Sequence, residues 1–285
     1  MENKLENSNH NGCIRIQDAT TQCRENSSLP HISGIWALDV VKQGWNADEL
    51  CIVGGRPAIG KTGFVLSLMA NLSRANIPVV LLSATDTVND RFVSRAINAL
   101  DEVGSPVVGP EDAPFYMNMN TAMTLSFIRD NVKAMIEQKD IKVVFIETLQ
   151  SIFDSEPDGN TREGMEHICH ELLVMSREFN IPFIVTSDLN RSVEYREGFE
   201  GKHPQITDLR SSGAIENAAD SILLLFRPEY YMIFEDSYHN DLHGLVKVII
   251  AKNRYGDTGE VWLRFNKESG TVKDMDQNKM KPNRF

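Results

Sequence analysis

Between the apolar run LCIVG (Leu50 to Gly54) and the helical run FVLSLMANL (Phe64 to Leu72) lies GGRPAIGKTG, and no other stretch of the 285-residue chain restricts its fold as much. Gly55, Gly60, Lys61 and Thr62 stand at the spacing GxxxxGK[ST], a glycine-rich turn that closes a strand and opens a helix. The residue types follow from one task. Glycines let successive N–H groups curl around phosphate oxygens, and the helix start adds positive potential. Lys61 reaches the β and γ phosphates of a nucleotide, and the Thr62 hydroxyl ligates Mg²⁺. Gly55, Arg56, Pro57, Ala58, Ile59, Gly60, Lys61 and Thr62 therefore form a nucleotide-binding cradle, which requires a strand, a turn and a helix in that order.

The rest of the chain fits such a unit. Four short apolar runs, LCIVGG, IPVVLLSA, IKVVFIE and IPFIVTSDL, alternate with longer stretches of helical period. Parallel strands joined by crossover helices produce this alternation, so the expected class is α/β, a mostly parallel sheet flanked by helices. After DGNT, the residues Met165, Ile168, Leu172, Met175 and Phe179 fall on one helical stripe, the face that covers a sheet. His167 and His170 on that helix read as solvent-facing or capping groups rather than a metal pair. Further on, GLVKVIIAKNR and GEVWLRFNK alternate like strands around Gly256 and Gly259, which predicts a C-terminal antiparallel hairpin.

With 41% hydrophobic residues, the length suits one sizeable domain, here placed at 31–273. Residues 1–30 are too poor in large apolar side chains to offset their ordering entropy and read as a disordered polar arm, with 274–285 as a tail. A net charge of -11 argues against binding nucleic acid by bulk charge, although basic loops or the inner surface of a ring can still do so. No apolar run reaches the roughly 18 to 20 residues of a membrane helix and no signal segment is visible, so the expectation is a soluble cytoplasmic chain with no membrane partner. Cys13, Cys23, Cys51 and Cys169 lack CxxC pairing and read as reduced thiols.

Six segments carry a family resemblance: GGRPAIGKT, FIETLQ, IPFIVTSDLNRSVEYR, ITDLRSSGAIENAAD, FRPEYY and VIIAKNRYGDTGEVWLRF. In order and with similar gaps they resemble the C-terminal ATPase domain of DnaB-type replicative helicases, over roughly Ile32 to Phe265. The resemblance implies a RecA-like P-loop NTPase core acting in DNA replication. It implies a homo-oligomeric ring, usually a hexamer, with ATP and Mg²⁺ bound between neighbouring subunits and single-stranded DNA threaded through the centre. Lys252 and Arg254 match the pair that reaches into the next subunit's site to neutralise charge on the γ-phosphate, a catalytic role. Arg210, Ser211 and Gly213 match the loop that grips the DNA backbone, with Ser211 where the family commonly has glutamate, and Arg196 and Lys202 could add charge beside it. Arg95 is counted with the nucleotide-binding residues. The family's N-terminal domain docks primase; only a short polar stretch precedes the core here, so docking by that route is expected to be absent.

Three catalytic positions depart from the family. Glu147 stands where an aspartate orients Mg²⁺ and its water, keeping the charge and adding one methylene. The strand that supplies the water-activating glutamate reads LLSATDTVNDRFVSR. Aligned from the strand, Thr85 takes that place; aligned back from the helix through Arg95, Asp86 does, and only Asp86 can act as a base. Asp188 replaces the glutamine that senses the γ-phosphate, an anion that repels phosphate unless it is protonated, turned away or bonded to a neighbour. The favoured reading is a working but atypical ATP-hydrolysing helicase; the alternatives are a RecA-like ATPase switch and a catalytically impaired nucleotide-binding subunit.

Overall fold

A computed structural model of the chain describes residues 32–84, 90–103, 113–119, 122–154 and 161–275. Nine strands form one sheet: β1 (Leu50–Gly55), β2 (Val79–Ser83), β3 (Phe115–Met119), β4 (Val143–Glu147), β5 (Phe183–Asp188), β6 (Ser221–Phe226), β7 (Leu245–Asn253), β8 (Gly259–Phe265) and β9 (Val272–Asp274). Side by side they run β3-β2-β4-β5-β1-β6-β7-β8-β9. Every pairing from β3 across to β6 is parallel, and β7, β8 and β9 then add antiparallel strands. The four apolar runs are β1, β2, β4 and β5, and the hairpin around Gly256 is β7–β8, as the patterns imply.

Among the described residues seven α-helices accompany the sheet: α1 (Trp36–Lys42), α2 (Lys61–Arg74), α3 (Asp90–Val103), α4 (Leu125–Lys139), α5 (Arg162–Phe179), α6 (Gly198–Gly201) and α7 (Ser212–Ala218). Threonine hydroxyls start two of the longer ones. Thr124 accepts from the Phe127 amide at 3.1 Å and Thr161 from the Gly164 amide at 3.0 Å, each satisfying an N–H that the helix leaves free. Successive residues of β1 serve opposite cores. Cys51 and Val53 pack with Phe64 and Leu68 of α2, while Leu50 and Ile52 pack with Ile168 and Leu172 of α5. A strand covered on both faces must be apolar throughout, which is why LCIVGG reads as a continuous run. The stripe on α5 is buried at Met165, Ile168, Leu172 and Met175 and partly buried at Phe179.

The sequence pattern missed the edge strand β3, whose FYMNM is only half-buried over the residues described and shows no strong alternation. Asp274, assigned to the tail, ends β9, and its carboxylate accepts from the amides of Trp36 at 2.7 Å and Ala37 at 2.9 Å, fastening the start of α1 to the far sheet edge. The polar arm and residues 276–285 lie outside the described residues, as do Thr85 and Asp86. Among the described residues no helix is long and apolar enough to cross a membrane.

One close contact gives a stability test. A Cβ on Gly63 would lie 1.7 Å from the carbonyl oxygen of Gly270, so α2 reaches the loop before β9 only without a side chain there. Gly63→Ala is expected to cost about 1 to 3 kcal/mol, read as a lower urea midpoint. Gly213→Ala, where nothing lies within 4 Å, should leave the midpoint unchanged or slightly raised.

Candidate active site

The chain leaves β1 towards β2 on one side and returns through β5 to β6 on the other, so a crevice opens beyond the carboxyl end of β1. The glycine-rich turn fills it. Ala58 and Gly60 adopt positive φ of 63° and 117°, and a Cβ on Gly55 would meet Ile59 at 2.7 Å. Gly55 pairs with Asp188 in the β1–β5 register, and Glu147 pairs with Ser83 at the end of β4. Parallel strands that end together thus bring Lys61, Thr62, Glu147 and Asp188 to one cleft of about 490 Å³, with Arg95 on its wall.

Lys61 is only 8% exposed. Its ammonium donates to the Gly55 carbonyl at 2.9 Å and the Arg56 carbonyl at 3.4 Å, and pairs with Asp188 Oδ1 at 2.7 Å. Asp188 is therefore bonded to a neighbour, one of the conditions under which an anion is tolerated at that position. Its amide in turn donates to Gln150 Oε1 at 3.1 Å, and Gln150 Nε2 donates to Ser187 Oγ at 2.9 Å, so Gln150 braces the end of β5.

The Thr62 hydroxyl donates to Glu147 Oε1, while Glu147 Oε2 is buried with no hydrogen-bond partner among the described residues. Burial raises the Glu147 pKa above the ordinary 4.5, and the Asp188 charge adds to that, against the opposing pull of Thr62, Lys61 and Arg95. A buried carboxylate oxygen without a donor, beside a hydroxyl, is a demand for a cation. The donor set fits Mg²⁺, which takes one or two protein ligands and completes its shell from phosphates and water. Among the described residues no group of three His, Cys, Asp or Glu forms an all-protein cage.

Sequence reasoning missed part of the wall. Arg227, Phe265, Lys267 and Gly270 also line the cleft, and the Arg227 guanidinium sits 4.5 Å from the Phe265 ring centroid. They come from the ends of β6 and β8 and from the turn before β9; Arg227 and Phe265 lie within segments that carry the family resemblance, but neither was assigned to the site, and no motif marks Lys267 or Gly270.

Two sets of candidate residues lie apart from the cleft. Lys252 and Arg254 sit where the antiparallel β7 ends, beside the start of β6, opposite the cradle. Lys252 donates to the carbonyls of Glu216 and Ala219 at 2.6 Å each, and burial lowers its pKa. Arg254 pairs at 2.7 Å with Asp220, whose side chain is fully buried. Arg210, Ser211 and Gly213 are exposed around the start of α7, and the Arg210 amide donates to the Asp188 carbonyl at 3.1 Å. Arg210 shares a cavity of about 440 Å³ with Arg56 and with Arg191, which the sequence reading did not select. Arg196 is ion-paired with Asp208 and adds little free charge, whereas Lys202 donates to the Glu194 carbonyl and keeps its charge, at 2.6 Å each.

A glycine-rich cradle at the carboxyl edge of a parallel sheet, with lysine, threonine and a strand-end carboxylate converging on it, defines a nucleotide-binding P-loop domain. A family profile described as the DnaB-like helicase C terminal domain matches residues 32–109 and 105–274, and the chain belongs to that family. It is 31% identical over 254 residues to a probable replicative DNA helicase of Trieres chinensis, covering 82% of this chain and 55% of the relative. It is 29% identical over 288 residues to the replicative DNA helicase DnaB of Geobacillus stearothermophilus, covering 91% and 62%. The chain thus spans little more than half the length of these relatives. A solved ATPase domain superposes with a TM-score of 0.76 at 24% identity, covering 92% of this chain and 99% of that one. A DnaB-like replicative helicase studied with primase superposes at 0.74 and 25% identity, covering 93% and 68%.

Releasing Lys61 from Asp188 should favour the nucleotide. Asp188→Asn is expected to tighten ATP binding roughly two- to fivefold at neutral pH by titration of a fluorescent analogue, the span of a partly exposed ion pair. Unchanged affinity would mean that the pair does not hold Lys61 back. Glu147 gives a pH test. A carboxyl whose folded pKa is raised lends its full stability at and below the ordinary value and loses it as pH rises above. In metal-free buffer, Glu147→Gln should therefore exceed wild type in melting temperature by more at pH 8 than at pH 5.

Proposed function

We propose that this chain is the motor of a DnaB-type helicase: it assembles as a homo-oligomeric ring, a hexamer as in its family, and uses ATP to translocate along single-stranded DNA during replication in the cytoplasm. The observation that carries this reading is the separation of the two charged sets. Lys61, Thr62, Glu147 and Asp188 share one cleft, while Lys252 and Arg254 lie at the other end of the sheet. At about 3.3 Å per residue, a six-residue strand puts them roughly 20 Å from their own cradle. A pair so placed serves a neighbouring subunit's cleft, and a site incomplete in one chain is completed by a ring.

Each residue then has a task. Lys61 exchanges the Asp188 carboxylate for phosphate oxygens, and the cradle amides hold the remaining charge. Thr62 and Glu147 would hold Mg²⁺, which when bound neutralises phosphate charge and supplies electrophilic assistance. Asp86 takes the proton of the attacking water. Arg254 and Lys252 of the adjacent copy meet the charge that develops on the γ-phosphate. Arg210, Ser211 and Gly213, with Arg191 beside them, follow the DNA backbone without reading bases.

Steady-state ATP hydrolysis with and without single-stranded DNA tests the proposal. Arg254→Ala is expected to lose about 10³-fold or more in DNA-stimulated kcat while ATP affinity stays within about threefold, the signature of a trans arginine. Mixed with wild type, it should depress activity beyond simple dilution. Wild-type turnover in Arg254→Ala would overturn the shared-site reading, and ATP binding without any turnover in the wild type would favour an impaired subunit.

A further inference from the structure

Glu194 belongs to neither charged set, yet three elements meet on its side chain. Arg56 has its main chain in the cradle, where its carbonyl lies 3.4 Å from Lys61 Nζ. Its guanidinium leaves the cradle, 8% exposed, and places Nε and Nη2 each 2.8 Å from Glu194 Oε1, while Nη1 donates to the Leu189 carbonyl at 2.6 Å. The Tyr230 hydroxyl, from the turn after β6, donates to the same Oε1 at 3.1 Å. Glu194 itself stands in the 3₁₀ turn Arg191–Tyr195, one turn from Arg191, where residues three apart share a face. That turn opens the segment ending at Arg210, which is closed on itself by the Leu189↔Leu209 bridge and the Arg210 amide bond to Asp188.

From this arrangement we infer that Glu194 is a positioning residue that couples the phosphate cradle to the arginine-bearing segment, so that nucleotide in the cleft sets the affinity of Arg191 and Arg210 for single-stranded DNA. The inference rests on the proposed function. When Lys61 turns from protein carbonyls to phosphate, Arg56 moves with the cradle. A buried guanidinium held at three nitrogens does not slide freely, so Glu194 and Arg191 follow it. By linkage, the same contact lets DNA raise the affinity for nucleotide.

The test is the affinity of an oligo(dT) strand, followed by fluorescence anisotropy with and without a non-hydrolysable ATP analogue and Mg²⁺. Wild type is expected to bind the strand at least about tenfold tighter with the analogue, a coupling of ordinary size. In Glu194→Gln this ratio should fall below about threefold, while affinity for the analogue without DNA stays within about threefold of wild type. A merely structural role would shift the individual affinities and leave the ratio in place. A wild-type ratio in Glu194→Gln overturns the inference. Should that variant not fold, Glu194→Asp decides, since it keeps the charge and draws the carboxylate back from Arg56; its ratio should fall, and an unchanged ratio overturns the inference. Wild type that binds the strand equally in both states also overturns it, whereas wild type that binds no strand in either state overturns the proposed function itself.

Discussion

The parallel pairing of β1 between β5 and β6 is the constraint on which the site depends. Parallel strands in register end on the same side. The cradle after Gly55, the carboxylate of Asp188 and, one strand further, that of Glu147 therefore converge without any contact being specified individually. β7 runs the other way, and the same geometry carries Lys252 and Arg254 to the opposite end. The direction of one strand thus separates the groups of the cradle from Lys252 and Arg254.

Charge within each end is balanced by burial. In the cleft, Lys61 is shared between backbone carbonyls and Asp188, and Glu147 keeps one oxygen without a donor among the described residues. At the other end, Lys42 and Glu49 form an ion pair of 2.7 Å with side chains 1% and 0% exposed, and Ser221 donates to the same glutamate. Asp220, next to Ser221, holds Arg254. Desolvation makes such pairs poor sources of net stability, but breaking one leaves a buried charge, which fixes the geometry around β6 and β7.

The departures from the family acquire a physical meaning here. Asp188 in place of the sensing glutamine makes the cradle lysine an ion-pair partner before any nucleotide arrives. Glu147 spans its extra methylene by accepting directly from Thr62. With Asp188 committed to Lys61, the Arg56–Glu194 contact is a separate connection between the cradle and the segment that carries Arg191 and Arg210.

Much of this was legible in the sequence because it is local. The cradle needs only consecutive residues between a strand and a helix, and both-faces-buried strands must be continuous apolar runs. The β7–β8 hairpin announces itself by alternation and glycine, and β3 went unread because a short, half-buried edge strand is under no such demand. The pairings could not be read. Lys61 and Asp188 lie 127 residues apart, and Arg56 and Glu194 138 apart. Nothing in a one-dimensional pattern states which charges will meet. The sequence by itself determined the phosphate chemistry and the strands that frame it, since short-range backbone geometry and burial dictate both. Only the tertiary structure decided which carboxylate faces Lys61, which oxygen of Glu147 is left without a donor, and at which end of the sheet Arg254 lies, because strand order and direction, set by packing of the whole core, bring those groups together or keep them apart.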